Sequence, residues 1–313
     1  MIKKLFKFVF KNILQSPLNY FLKKNRILII FRKGSAIGDH VYMSSVIRKI
    51  HEKGFYKIFL FTNYYEFYIN NPRIHRLFKI KKKNLIWSLL NLVKGEMILE
   101  FRCIYKDYDN KHFLTHYLPK NLHLAQGMSD HFNLDLDYNN LQNEIFLSNE
   151  EIKIYEKKIN LPKDFVLIQS SSKSIYTQNK EWTFEGMQKI IDHFDKFKWV
   201  QIGTNNEPKL KNCRHLLDLN YRELSYVISK SKFLVVYEGL FNHIASCFNK
   251  KTFVIHLGFL HINSFKYSNN VIIHQNEKLK CYPCFLLKCN NHKSFSKNFM
   301  GEEFVIDAIK RNI

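Results

Sequence analysis

Short runs rich in Ile, Val, Leu and Phe alternate with stretches of helical periodicity along most of this chain, and the alternation runs through twice. Arg26–Phe31 (RILIIF) is apolar at almost every position, as a parallel strand buried on both faces must be. A glycine-bearing loop, Arg32–Asp39 (RKGSAIGD), follows it, and then Val41, Met43, Ile47 and Ile50 recur at helical spacing. Strand, tight loop and helix in that order open a doubly wound α/β domain. Further strand-like runs lie at Lys57–Phe61, Leu77–Ile80, Met97–Phe101 and Asn121–Leu124. Ser148–Lys158 begins with a capping signature and reads as a helix. After Leu161-Pro162 the alternation starts again: strands at Phe165–Gln169, Lys198–Ile202, Phe233–Tyr237 and Thr252–Leu257, with helices at Thr183–Phe194, Tyr221–Ser229 and Phe241–Phe248 between them. The pattern predicts two Rossmann-like domains, residues 25–147 and 164–299, joined by a linker at 148–163. A last helix in 300–313 is expected to fold back on the first domain. Ligands of open α/β sheets bind beyond the carboxyl ends of the strands, so a cleft between two such edges is the expected site.

A length of 313 residues with 46% hydrophobic content supports two domains of ordinary size, and 15% aromatic with 24% charged residues argues against disorder. The formal net charge of +22 favours a polyanionic partner: nucleic acid, an anionic membrane face or a phosphorylated glycolipid. No nucleic-acid-binding motif is recognisable and no basic-aromatic stripe lies outside the N-terminus, so nucleic acid is not an expected partner. Part of the charge reflects a bias to Lys, Asn, Ile, Phe and Tyr throughout. The 6 cysteines suggest no disulfide framework and fit a reducing cytosol. In residues 1–24, Lys3, Lys4, Lys7 and Lys11 alternate with Ile2, Leu5, Phe6, Val9, Phe10, Ile13 and Leu14 at roughly helical spacing. Such a basic amphipathic helix is too short for a confident membrane span. It reads either as an interfacial anchor or as a helix packed on its own domain. In the first case, deleting residues 1–24 weakens binding to anionic liposomes.

Four constellations could carry chemistry. Gly34, Ser35, Gly38 and Asp39 stand where a strand turns into a helix, where glycine permits close approach and the helix N-terminus favours anions; Asp39 could equally be a plain N-cap. Gln169–Trp182 follows a strand with Ser170, Ser171 and Lys180, hydroxyls and an ammonium suited to phosphate, although a solvated loop has the same composition. Tyr237–His243 places Glu238, Gly239, Leu240, Phe241 and His243 at another strand-to-helix turn, where backbone N–H groups can take a pyrophosphate. Taken alone, a helical His is more often structural. Cys281, Cys284, Cys289 and His292 have zinc-like arithmetic with odd spacing, a weak case for a structural metal.

In this order the patches resemble glycosyltransferase family 9, the ADP-heptose:lipopolysaccharide heptosyltransferases. ILIIFRKGSAIGDHVYMSSVIRKI resembles that family's first strand, Gly-Asp loop and helix. KEWTFEGMQKIID resembles its Lys-x-Trp patch, and QIGTNNE, with Gly203 and Glu207, its strand, glycine and glutamate. YRELSYVISKSKFLVVYEGLFNHIASCFNKKTFVIHLG resembles its helix, strand and Asp-Ser/Thr-Gly-x-x-His turn, and CYPCFLLKC a cysteine-bearing tail. The resemblance covers about residues 26–290. It implies a GT-B fold of two facing Rossmann-like domains, an acceptor domain followed by a donor domain. The implied chemistry is inverting, metal-independent transfer from a nucleoside-diphosphate sugar, ADP-heptose above all, to lipopolysaccharide core or a related surface glycan. Cofactors are none. The partners are that donor, an anionic glycolipid and the inner-membrane surface, on its cytoplasmic face in a Gram-negative bacterium. Asp39 would be the general base. Lys180 would stabilise the leaving diphosphate, with Ser170, Ser171, Gly203, Glu207, Glu238, Gly239, Leu240, Phe241 and His243 around the donor and Gly34, Ser35 and Gly38 on the acceptor side. One departure stands out: Glu238-Gly239-Leu240 replaces Asp-Ser/Thr-Gly, while His243 keeps its place. The other readings are a sugar-nucleotide epimerase of the same fold, an inactive glycolipid-binding homologue and a basic nucleic-acid-binding protein.

Overall fold

The computed structural model describes residues 15–32, 36–54, 57–80, 85–101, 123–126, 134, 136, 141–172, 178–275, 279–284 and 300–313. After helix α1 (Ser16–Lys24) the first domain runs β1 (Ile27–Arg32), α2 (Ile37–Glu52), β2 (Lys57–Thr62), β3 (Ile74–Lys79), α3 (Leu85–Val93) and β4 (Ile98–Glu100). Its strands form a parallel sheet in the order β3-β2-β1-β4. The second domain follows α4 (Asn149–Ile159). It contains β5 (Phe165–Gln169), α5 (Phe184–His193), β6 (Lys198–Gly203), β7 (Arg214–Leu217), α6 (Tyr221–Lys230), β8 (Leu234–Tyr237), α7 (Leu240–Cys247), β9 (Thr252–Ile255), β10 (Asn270–Ile273) and α8 (Glu302–Lys310). Its parallel sheet has the order β10-β9-β8-β5-β6-β7, so β8 and β5 lie at the centre and the chain winds outward both ways.

The central strands are buried on both faces and divide their side chains by alternation. Phe165 and Leu167 of β5, like Leu234 and Val236 of β8, face a core shared with the first domain. Val166 and Ile168, with Val235 and Tyr237, face a second core on the far side of the sheet. The shared core runs from Leu28, Ile30 and Val46 to Val227, Ile244 and Val254, so the two domains bury one continuous apolar interior. Helix α4 begins as its sequence requires. The Ser148 side chain accepts from the Glu151 N–H and the Glu151 carboxylate accepts from the Ser148 N–H, a complete capping box.

The last helix differs from expectation. Instead of returning to the first domain, α8 buries Val305 and Ile309 in the second core beside Met187 and Ile190. Its i, i+4 apolar pair finds the open outer face of the nearer sheet, and Lys189 of α5 pairs with Glu302. The Trp182 indole donates to the Met300 carbonyl at 2.9 Å just ahead of it. Strands β7 and β10 were not legible because both are short, partly exposed edges. Of the strand expected at Asn121–Leu124, only His123 and Leu124 are among the described residues and neither is in a strand; the Leu124 N–H donates to Ser264 of the second domain. Residues 1–14 of the N-terminal segment lie outside the described residues. The part that is described packs on the first domain: Leu22 is buried, the Asn19 carboxamide accepts from the Met97 N–H, and Lys23 pairs with Glu96. Among the described residues no helix is long and apolar enough to cross a membrane.

Candidate active site between the two sheets

Strand β1 ends at Arg32, and α2 starts a few residues later with Ala36 at its N-cap and no side-chain capping bond. Asp39 is therefore not the cap. It sits in the first turn, where the helix dipole still favours a carboxylate, and pairs with the Arg32 guanidinium. Arg32 is itself anchored, donating 2.9 Å to the Phe101 carbonyl at the end of β4. Burial pushes the Asp39 carboxyl up; Arg32, a hydrogen bond from Tyr42 and the Lys180 ammonium oppose it, and the net direction is upward. A carboxylate raised toward neutrality is a better match for a proton-accepting role than an ordinary one. Its neighbour His40 is core: buried, held by Thr62 at 3.1 Å and driven by burial to about 2, it is neutral.

The facing wall comes from the second domain. Gly239 closes β8 with φ +149, a left-handed backbone that favours glycine, and α7 starts at Leu240. Gly38 meets that turn directly. A Cβ added there would lie 2.7 Å from His243 Cδ2 and 3.7 Å from the Leu240 nitrogen. Two helix N-termini, those of α2 and α7, thus converge on one place, each aiming backbone N–H groups and positive dipole ends inward. The His243 ring packs edge-on to Tyr42 at 5.4 Å, and its Nδ1 is 2.6 Å from the Tyr267 hydroxyl. Burial and then the nearby Lys180 depress it to about 3, so His243 is a neutral hydrogen-bonding group.

Beside this turn lies a buried charge cluster. The Lys180 ammonium is 2.8 Å from Glu238 and 4.7 Å from the centre of the Phe259 ring. On the other carboxylate oxygen of Glu238, the His256 Nδ1 lies at 2.9 Å, and the opposite ring nitrogen is 2.9 Å from the Leu260 carbonyl. Burial alone would push Glu238 up, but Lys180 and His256 outweigh it and hold the carboxyl near about 2. Glu238 is therefore a fixed anion committed to two protein partners. Lys180 closes a short 3-10 turn (Gln178–Lys180) and precedes α5, whose N-cap is Thr183.

The remaining expected residues are placed as follows. Ser170 is buried and accepts from Gln201 at 2.8 Å; Ser171 donates to Glu181 at 2.7 Å. Both hydroxyls thus tie the loop after β5 together. At Gly203, a Cβ would fall 2.4 Å from a Glu207 carboxylate oxygen, because Glu207 folds back to accept from the Thr204 N–H at 2.9 Å. Leu240 and Phe241 are half-buried at the start of α7. Gly34 and Ser35 lie outside the described residues, as do Cys289 and His292 of the cysteine-bearing tail. Among the described residues no group of three His, Cys, Asp or Glu side chains could hold a metal ion; Cys281 is half-buried and Cys284 buried. Arg32, Tyr42, His256 and Tyr267 were not anticipated. Arg32 alone left a trace, as a cation ending an otherwise apolar strand.

No protein-family model matches the chain, and no curated protein sequence does. Solved structures do. A glycosyl transferase of family 9 from Veillonella parvula superposes with a TM-score of 0.64 at 14% identity, over 90% of this chain and 96% of that one. The E. coli ADP-heptose lipopolysaccharide heptosyltransferase II gives 0.63 at 13% identity, over 91% and 98%. The iron-containing dodecameric glycosyltransferase TibC from enterotoxigenic E. coli gives 0.65 at 13% identity, over 91% of this chain and 77% of that one. Identities this low speak to architecture. With two parallel, doubly wound sheets whose carboxyl ends meet where α2 and α7 begin, the chain has the GT-B fold that these glycosyltransferases share.

Proposed function

We propose that this protein is an inverting glycosyltransferase that moves a heptose or related sugar from a nucleoside diphosphate, ADP-heptose in the first instance, to a lipid-linked surface glycan such as lipopolysaccharide core. The observation that carries this reading is the meeting of Asp39, from one domain, with Lys180 and His243, from the other, at the convergence of two helix N-termini. An acceptor hydroxyl entering from the first domain attacks the anomeric carbon and gives its proton to Asp39 as the bond forms. On the opposite side the bond from that carbon to the diphosphate oxygen breaks. The charge left on the diphosphate falls to Lys180 and to the backbone N–H groups of Gly239–Phe241 at the start of α7. A positive group fixed by buried partners stabilises that charge without reorganising, which is the work a divalent ion does in other sites. Attack and departure on opposite faces invert the anomeric centre. A chain of charge +22 suits an anionic glycolipid acceptor and a place at the cytoplasmic face of the inner membrane.

The test has two parts. In a thermal-stabilisation screen of ADP-heptose, UDP-sugars, GDP-sugars and free nucleotides, ADP-heptose and ADP should raise the melting temperature. Stabilisation by a UDP- or GDP-sugar alone moves the enzyme to another donor. With the stabilising donor, Asp39→Asn should keep donor binding and lose roughly 10²- to 10⁴-fold in turnover. Near-normal turnover of that variant removes Asp39 as the base.

A further inference from the structure

Tyr267 lies between β9 and β10 and is buried. The short segment that carries it is tied to α7. The Tyr267 N–H donates to the Asn270 side chain at 3.0 Å, the Asn270 amide donates to Asn242 at 2.8 Å, and Asn242 donates to the Phe265 carbonyl at 3.0 Å. Asn242 and His243 are consecutive in α7, so these bonds hold the phenol in place against the His243 ring. The first domain closes over the pair: Tyr42 packs on the His243 ring, and His123 packs on the Tyr267 ring at 5.0 Å. The Asn143 carboxamide and the Ser246 hydroxyl flank the phenol oxygen.

Counting protons in this cluster fixes the state of the histidine. Burial keeps the Tyr267 phenol protonated, so it needs an acceptor. Ser246 gives its own proton to the His243 carbonyl at 2.7 Å and already accepts from Asn143 at 2.8 Å. The Asn143 amide nitrogen is a donor. The acceptor is therefore His243 Nδ1, 2.6 Å away, and a neutral ring that accepts at Nδ1 carries its proton on Nε2. Among the described residues His243 makes no ring hydrogen bond besides this one. Its Nε2 edge looks toward Gly38, where an added Cβ would come within 3.3 Å of that nitrogen. An N–H there joins Lys180 and the N-termini of α2 and α7 in offering positive charge to an anion, whereas the other tautomer would offer a lone pair. We propose that Tyr267 is a positioning residue, which holds His243 as an Nε2–H donor to the leaving diphosphate. The diphosphate rests on the sugar transfer proposed above; the tautomer does not.

Nitrogen NMR of the full chain, labelled in its histidine rings, reads the tautomer without substrate, and the His243→Gln variant identifies the His243 signals by their loss. The wild-type ring should be protonated on Nε2, with Nδ1 shifted by the phenol, and Tyr267→Phe should abolish that shift while keeping most of the melting temperature. With the stabilising donor, Tyr267→Phe should lose roughly tenfold in kcat with little change in donor KM, less than the roughly 10²- to 10³-fold of removing such a donor outright in His243→Ala. Glutamine at 243 offers an amide N–H with no tautomer to fix. Adding Tyr267→Phe to His243→Gln should therefore change kcat by less than about twofold. A merely structural tyrosine would cost the same in both backgrounds, and that result overturns the proposal. So does a wild-type ring protonated on Nδ1, which is decided even if Tyr267→Phe fails to fold. Failure of the sugar-transfer reading looks different: no donor turns over in the wild type, while the nitrogen shifts still report Tyr267 on His243.

Discussion

Asp39 is caught between a cation that keeps it charged and a burial that works to neutralise it. Arg32 sets the balance, so Arg32→Ala should raise the Asp39 pKa further and move the acid limb of the kcat/KM profile to higher pH, with Arg32→Lys in between. An unmoved limb in the Ala variant would show that Arg32 is only structural. Glu238 behaves in the opposite sense. Its folded-state pKa, near about 2, lies below the roughly 4.3 of an unfolded glutamate. The stability it contributes is therefore fully present above about pH 4.3 and is lost as the pH falls toward about 2. Glu238→Gln should remove that part of the acid slope in a melting-temperature titration. It should also cost about 3 kcal/mol at neutral pH, because Lys180 and His256 are left buried without their anion. At turnover the same variant should lower kcat more than it raises donor KM, since the lysine loses its position rather than the donor its pocket. Equal stability of the two proteins from neutral pH to pH 3 would contradict the assignment.

Among the elements, α2 and α7 make the site by meeting end to end, and Gly38 is the residue that lets them. Gly38→Ala forces the His243 ring or the whole helix terminus to move by some tenths of an ångström. We expect at least a tenfold loss of turnover with only a small fall in melting temperature, since displacements of about 1 Å at a reacting centre cost on the order of 100-fold. Full activity in this variant would mean that the domains part at α2 and α7 before catalysis. The central strands β5 and β8 and the capping box of α4 could be read from the chain because each is written in consecutive residues. Strands β7 and β10 could not be: an edge strand is half wet and carries no continuous apolar run. The destination of α8 was equally hidden, since its Val305–Ile309 pair fits any apolar surface within reach.

At the scale of the molecule, the shared core makes one cooperative body of two domains. Arg222 of α6 strengthens the tie. Almost fully buried, it donates to the Glu66 carbonyl of the first domain, to the Phe146 carbonyl and to both carboxylate oxygens of Glu151 on α4. Calorimetry should therefore give a single unfolding transition, and Arg222→Met should destabilise the protein by about 3 kcal/mol while leaving Glu151 without its cation. Two separable transitions in the wild type would mean that the interface contributes little.

What the sequence determined alone is the local grammar: which runs are strands, where helices start, and that glycine-bearing turns follow β1 and β8. These depend on neighbours a few residues apart, through backbone sterics and periodic burial. It also pointed to Asp39, Lys180 and His243, through a resemblance carried in short motifs. Only the tertiary structure decided that Asp39 is held by Arg32 rather than capping its helix, that Glu238 is spent on Lys180 and His256, and that α3 turns a leucine face outward. Each of those depends on groups brought together from distant parts of the chain, or on what the packing leaves uncovered, and no local pattern encodes either.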